Sequence, residues 1–178
     1  RKISAFAGSR RGLLKKSMLV AFLGAVFTAF QFWALMLTLE ILEKYDSPLD
    51  QKVEIPAEAE GVEGSSLYLK AGEKISIEDL LYGMMLVSGN DSAVALSCII
   101  GGTQQHFIEM MNRRADAIGC TGTHFVNAHG YHDENHYSTA QDLAIIASEL
   151  LEYDEARQIV ATPSYTIKLV RNGQEVDL

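Results

Sequence analysis

Ser88-Gly89-Asn90 places a hydroxyl and a carboxamide two residues apart around a glycine. A serine hydroxyl donates and accepts hydrogen bonds at once, and a carboxamide offers two donors and an acceptor. The glycine lets the chain turn sharply, so both groups can be aimed from rigid elements into one cleft. As a bare tripeptide it is equally an ordinary turn or helix cap, and its weight depends on context. A second candidate is a histidine cluster. His124, His129, His132 and His136 fall within 13 residues and are four of the five histidines in the chain. Neutral imidazoles are zinc ligands, and Asp133 or Glu134 could add oxygen. The spacing is not H-E-x-x-H on a helix, however, and the segment reads as a loop. The plainer expectation is a polar surface loop whose histidines bond backbone. Met84, Met85, Met110 and Met111 sit at helical spacing and read as core packing. Glu58, Glu60 and Glu63 read as a solvated acidic loop. Cys98 and Cys120 lack zinc-finger spacing and read as buried small hydrophobes.

The elements that must position these groups are legible in part. Ser76, with Asp79 three residues on, opens a helix whose apolar stripe is Leu80, Leu81, Met84 and Met85. Ser88-Gly89-Asn90 breaks that helix, and Asp91 to Ile100 is a second, buried helix closed by Gly101-Gly102. Thr103 caps a third, with Phe107, Met110, Met111, Ala115 and Ile118 at 3–4 spacing and Gly119 as its stop. Residues 120–137 form a loop rich in Gly, Asn, Asp and His. Thr139 and Asp142 cap a fourth helix, with Leu143, Ile146, Ala147 and Leu150 facing inward. Short strands are expected at Val53–Ile55 and Leu67–Leu69. Tyr165–Val170 alternates like a strand, Asn172-Gly173 is a hairpin turn, and Gln174–Leu178 is the return strand. A hairpin that stops there suggests a chain that ends before its domain does.

The chain has 178 residues, 15 Lys and Arg against 23 Asp and Glu, and a net charge of −8. The average hides a split. Residues 1–39 hold six basic residues and no acid; residues 40–178 hold nine basic residues and all 23 acids. The acidic bulk argues against nucleic-acid binding, which needs a basic face. A hydrophobic fraction of 48% is enough for a core. Met18 to Leu39 is 22 residues without a charge. About 20 apolar residues cross a bilayer core of roughly 30 Å. Basic residues flank the run on its N-terminal side only, which would leave everything after Leu39 outside the cytoplasm. Three segments follow: a basic flank at 1–17, an apolar helix at 18–39 that is either a membrane anchor or signal or else a core helix, and a domain at 40–178.

VSGNDSAVALS (Val87 to Ser97), preceded by LLYGMML, resembles the middle motif of the serine D-alanyl-D-alanine carboxypeptidases, the low-molecular-mass penicillin-binding proteins of peptidase family S11. The likeness extends over Pro56 to Leu96, Phe107 to Ala147 and Thr162 to Ile167, and runs in one register from about Leu37 to the C-terminus, roughly 140 residues. The wider signature is S-x-x-K, then S-D-N or here S-G-N, then K-T-G. The resemblance implies that the first serine attacks the D-Ala-D-Ala carbonyl and the lysine one turn on takes its proton, forming an acyl-enzyme. Ser88 would link that lysine to the leaving amine. Asn90 would hold the lysine and the substrate amide, with Gly89 between them in the substrate-binding turn. The K-T-G strand would hold the substrate carboxylate and line the oxyanion hole.

The sequence departs from this pattern twice. No lysine has a serine three residues before it. If Leu37 to Asp46 aligns with the helix that follows the nucleophile, the motif falls at Thr28-Ala29-Phe30-Gln31, where glutamine is no base. No K-T-G is present either: Lys168 is followed by Leu169 and Val170.

What the resemblance implies is an α+β fold: part of the penicillin-binding-protein/β-lactamase-like transpeptidase architecture, mostly its helical subdomain, with an incomplete antiparallel sheet and exposed apolar surface beside it. The expected function is D-Ala-D-Ala carboxypeptidase, weak or inactive as the chain stands, trimming peptidoglycan stem peptides in the bacterial cell envelope outside the cytoplasmic membrane. Expected partners are D-Ala-D-Ala peptides, β-lactams, and a membrane through residues 18–39, with no nucleic acid, cofactor or metal. The alternative is a membrane-anchored, non-catalytic module that binds peptidoglycan peptides. A zinc hydrolase ranks third.

Overall fold

The computed structural model describes residues 30–178. Within them, a helix α1 occupies residues 30–44. It is followed by strand β1 (Lys52–Glu54), a 3-10 turn (Ala57–Ala59), strand β2 (Lys74–Ser76) and helices α2 (Ile77–Leu86), α3 (Asn90–Gly101), α4 (Gln104–Ala117), α5 (Ala140–Leu150) and α6 (Asp154–Ala161). The hairpin β3 (Lys168–Arg171) and β4 (Gln174–Asp177) closes the series. The four strands make one antiparallel sheet in the order β1-β2-β3-β4. Helices beside a small antiparallel sheet give the expected α+β class.

Apolar residues dominate α1 on every side, and the fold uses all of them. Trp33, Ala34, Leu35 and Met36 are 0% exposed, and Leu37 and Leu39 are 4%. The Trp33 indole stacks on Phe125, 5.4 Å between centroids, and its Nε1 donates to the Met111 carbonyl at 3.1 Å. A buried indole needs such a partner for its N–H. Arg114 on α4 donates to Glu40 on α1 and to Glu149 on α5, fastening three helices at their solvent edge. The apolar run at 18–39 is thus divided. Residues 18–29 lie outside the described residues, and residues 30–39 pack as the hub of the core. Among the described residues, no helix is long and apolar enough to cross a membrane.

The caps form where the sequence puts them. Ser76, Thr103 and Thr139 each accept the backbone N–H three residues on, at 3.0, 3.1 and 3.0 Å. This satisfies an N–H that has no partner inside the helix. Asn172 (φ 52°) and Gly173 (φ 77°) make the hairpin turn, and the ladder continues outward to a reciprocal pair between Ile167 and Leu178. Ile75 and Leu169, paired across β2 and β3, are fully buried, so the inner face of the sheet is covered. Among the described residues the exposed large apolar side chains include Tyr68, Leu86, Val87 and Leu178.

Three local readings change. Leu67–Leu69 is not a strand: its N–H groups go to a carboxylate, described below. β2 forms where no strand was expected, because Lys74–Ser76 pairs with both β1 and β3. Helix α6 was also not anticipated. Asp154 and Glu155 favour its N-terminus, and Ala156 and Ile159, three apart, supply its short buried face.

Candidate active site

The end of α2 and the start of α3 create the turn at residues 87–89. Val87 closes α2, and Ser88 takes φ 56°, in the left-handed region that a side chain enters at a cost of about 1 kcal/mol. The residue carrying the unusual backbone is therefore the serine and not the glycine beside it. Gly89 has an ordinary φ of −63° and is needed for space. A Cβ there would lie 3.0 Å from the Gly83 carbonyl, which already accepts the Gly89 N–H at 3.1 Å. The turn thus folds back on α2 and presents Ser88, half-buried, at its tip.

The Ser88 hydroxyl donates to Oε1 of Gln31 at 3.1 Å, across 57 residues of sequence. Gln31 sits on α1, fully buried, and its Nε2 has no hydrogen-bond partner. Asn90 faces a different wall. Its side-chain Nδ2 donates to the Glu63 carbonyl at 2.7 Å, and its backbone N–H to the Ser65 carbonyl at 2.8 Å. Gly64 lies against this carboxamide so closely that a Cβ on it would be 2.4 Å from Asn90 Nδ2, and its φ of 100° excludes other residues without strain. Between them, Ser88 and Asn90 connect the α2–α3 turn to α1 on one side and to the 63–66 segment on the other.

That segment is held by Asp91, the next residue along α3, which is 1% exposed. Its Oδ2 accepts from the Ser66 hydroxyl at 2.7 Å and the Leu69 N–H at 3.1 Å. Its Oδ1 accepts from the Leu67 N–H at 3.1 Å and the Ser92 N–H at 2.9 Å. Three of these four donors belong to residues 66–69 and take the place of a strand ladder there. Sequence reasoning missed Asp91 and Gly64. An acid in the first turn of a helix is commonplace, and nothing local announced that its partners lie more than 20 residues upstream. The Glu63 carboxylate beside Tyr131 pushes its phenol pKa up.

The histidines do not converge. His124 Nδ1 bonds the Asn135 carbonyl, while His129 Nδ1 accepts from the Tyr131 N–H and His136 Nδ1 from the Val126 N–H. Among the described residues no group of His, Cys, Asp and Glu is arranged to hold a metal. His136 packs edge-on against Phe30, centroids 4.2 Å apart, and burial pulls its pKa down to about 4, so it is neutral at pH 7. Thr28, the residue opposite the expected nucleophile, lies outside the described residues.

Helices beside a small antiparallel sheet are an arrangement shared with solved DD-peptidase structures. The Streptomyces K15 DD-transpeptidase superposes with a TM-score of 0.74 at 30% identity, covering 86% of this chain and 61% of that one. The D-alanyl-D-alanine carboxypeptidase DacD of Francisella tularensis gives 0.68 at 36% identity, covering 76% and 32%. In sequence, the carboxypeptidase DacF of Bacillus subtilis is 35% identical over 128 residues, 72% of this chain and 33% of its own length. The sequence model of peptidase family S11, D-alanyl-D-alanine carboxypeptidase, matches residues 32–175. The chain belongs to this family. It spans about a third of the length of the first of these curated relatives.

Proposed function

We propose that this chain contributes the helical part of a serine-type D-alanyl-D-alanine carboxypeptidase site, one that receives peptidoglycan stem peptides ending in D-Ala-D-Ala. The proposal extends to β-lactams, which carry a comparable acyl group, and to a place in the bacterial cell envelope. Residues 40–178 form the bulk of the peptidase portion, with Ser88, Gly89 and Asn90 against the substrate. The observation that carries this reading is the Ser88–Gln31 hydrogen bond. Gln31 stands where the resemblance puts the base lysine, and it lies just outside the matched residues 32–175. The contact therefore supports the register independently of the match.

The same contact bears on rate. A carboxamide has no basic lone pair at neutral pH, so Gln31 cannot take a proton from an attacking hydroxyl. Losing a nucleophile–base pair costs orders of magnitude in turnover. The chain is expected to bind D-Ala-D-Ala peptides and to release D-alanine slowly. Trp33 to Leu39 are committed to the core and are not available to a membrane. The test is calorimetric titration with a peptide ending in D-Ala-D-Ala against one ending in L-Ala-L-Ala, with D-alanine release followed in parallel. Selective binding of the first is expected, and equal or absent binding of both overturns the assignment. A stable adduct with a fluorescent penicillin would overturn the slow-acylation part.

A further inference from the structure

A cleft of about 540 Å³ opens where α1 and α5 end and α6 begins. Its floor is apolar: Leu39 and Leu42 are buried, and Leu49 and Tyr153 are half-buried. Its rim is acidic, with Glu43, Glu149, Glu152, Asp154 and Glu155. Two of these carboxylates are matched, Glu149 by Arg114 at 3.3 Å and Asp154 by Arg157. Glu43, Glu152 and Glu155 have no ion pair among the described residues. Lys44, beside Glu43 in sequence, sits over the Tyr45 ring, 5.5 Å from its centroid. The placement of the acids is electrostatically unfavourable. A helix C-terminus carries partial negative charge and favours a cation. Glu43 nevertheless lies in the last turn of α1 and Glu149 in the last turn of α5, with Glu152 just beyond. The field reaches the floor: burial, then the Glu40, Glu43 and Glu149 charges, push the Tyr153 phenol pKa up against the opposing pull of Arg114.

We infer that this acid-rimmed apolar cleft is a docking site for the chain's own basic segment, residues 10–16. The segment lies outside the described residues and reads Arg10-Arg11-Gly12-Leu13-Leu14-Lys15-Lys16. Two leucines between two pairs of cations are the complement of an apolar floor inside an acidic rim. Leu13 and Leu14 cover Leu42, Leu49 and Tyr153, and the flanking cations meet Glu43, Glu152 and Glu155. Residues 1–39 contain no acid, so no carboxylate within the flank competes for these cations. The reach is sufficient. Lys16 and Phe30 are 14 residues apart, up to about 46 Å of extended chain, whereas α1 from residue 30 to residue 43 is only about 20 Å long. A tether of this kind holds the segment at an effective concentration on the order of millimolar, so contacts that are weak one by one suffice. The docking uses none of Ser88, Gly89 or Asn90 and stands apart from the peptidase reading.

The test is zero-length carbodiimide crosslinking of the full chain, read by mass spectrometry on the monomer band. Lys15 and Lys16 are expected to link to Glu43, Glu152 or Glu155 in strong preference to the exposed carboxylates of Glu134 and Glu175, which lie elsewhere on the surface. The links are expected to fade in 1 M salt, where the screening length falls to about 3 Å. Two double variants alter the segment and leave every crosslinking group in place, and neither touches the described residues. Leu13→Ser with Leu14→Ser removes the apolar match and is expected to lower the yield about tenfold, the scale of withdrawing two leucines from partial burial. Arg10→Gln with Arg11→Gln halves the charge of the segment and is expected to lower it less and to flatten the salt dependence. The inference is overturned if links spread evenly over exposed carboxylates, or if the leucine variant links as well as the parent. It is also overturned if links occur only between chains and rise with protein concentration, which would make the occupant a second copy. Loss of the links on adding vesicles of anionic lipid, with recovery when they are removed, is the competition that the docking predicts; links unchanged while the segment binds the vesicles would place its cations elsewhere and overturn it.

Discussion

Asp91→Asn is the substitution that best probes how the site is built. The side-chain volume is kept, so cavity terms are absent and the change is electrostatic. The carboxylate gathers two donors on each oxygen: Ser66 Oγ and Leu69 N on Oδ2, Leu67 N and Ser92 N on Oδ1. An amide retains one oxygen and turns the other into a donor. If the new amino group replaces Oδ2, the Ser66 hydroxyl can reverse and accept, but the Leu69 N–H is stranded in a buried position. If it replaces Oδ1, the Leu67 and Ser92 N–H groups are both stranded. One buried unsatisfied donor costs about 1–3 kcal/mol, and the remaining bonds fall from charge-assisted to neutral strength. A total near 3 kcal/mol follows, roughly a hundredfold or more in the folding equilibrium. Urea denaturation reads it directly: the midpoint is expected to fall by 1 M or more, taking a slope of about 2–3 kcal/mol per molar. Hydrogen exchange at Leu67 and Leu69 is expected to accelerate more than exchange in α4. A loss below about 1 kcal/mol, with unchanged exchange at those two amides, would refute the claim that this carboxylate organises the wall against Asn90.

Gly64→Ala forces a methyl to within 2.4 Å of Asn90 Nδ2 and strains a φ of 100°. It is expected to cost about 1–3 kcal/mol by denaturation and to weaken D-Ala-D-Ala binding by displacing the carboxamide. Wild-type affinity in this variant would show that Asn90 does not touch the ligand. For His136, burial holds the folded-state pKa at about 4, below the ordinary 6.5. Between those values the unfolded chain binds the extra proton, so stability falls as pH drops from 6.5 toward 4. Allowing for partial exposure, the loss is on the order of 1–2 kcal/mol. His136→Phe is expected to flatten that part of the stability–pH curve, leaving the carboxylate-driven loss at lower pH, and an unchanged slope would count against the shift.

The sequence speaks most clearly where structure is local. Ser76, Thr103 and Thr139 announce their helices because a cap is a contact between near neighbours, and Asn172-Gly173 announces its hairpin for the same reason. The Ser88-Gly89-Asn90 turn is equally visible, although the serine, not the glycine, adopts the left-handed backbone. What escapes is contact across distance. The coil at Leu67–Leu69 has the apolar texture of a strand but spends its N–H groups on Asp91. Strand β2 is three residues long and exists because β1 and β3 lie either side of it. Apolar length alone cannot separate a bilayer from a protein interior as the surroundings of residues 30–39. Only the partners of Trp33, the Phe125 ring and the Met111 carbonyl, decide it.

A helix that is greasy all round bears on how the chain is made. The 22 residues from Met18 to Leu39 carry no charge and must be kept from water while the rest of the chain is still being made. The second half of that stretch is also the axle around which the remaining helices assemble. Trp33 finds its place only beneath Phe125 and beside the Met111 carbonyl. Burial of this segment therefore waits on α4 and the loop bearing Phe125, which lie far downstream in the chain.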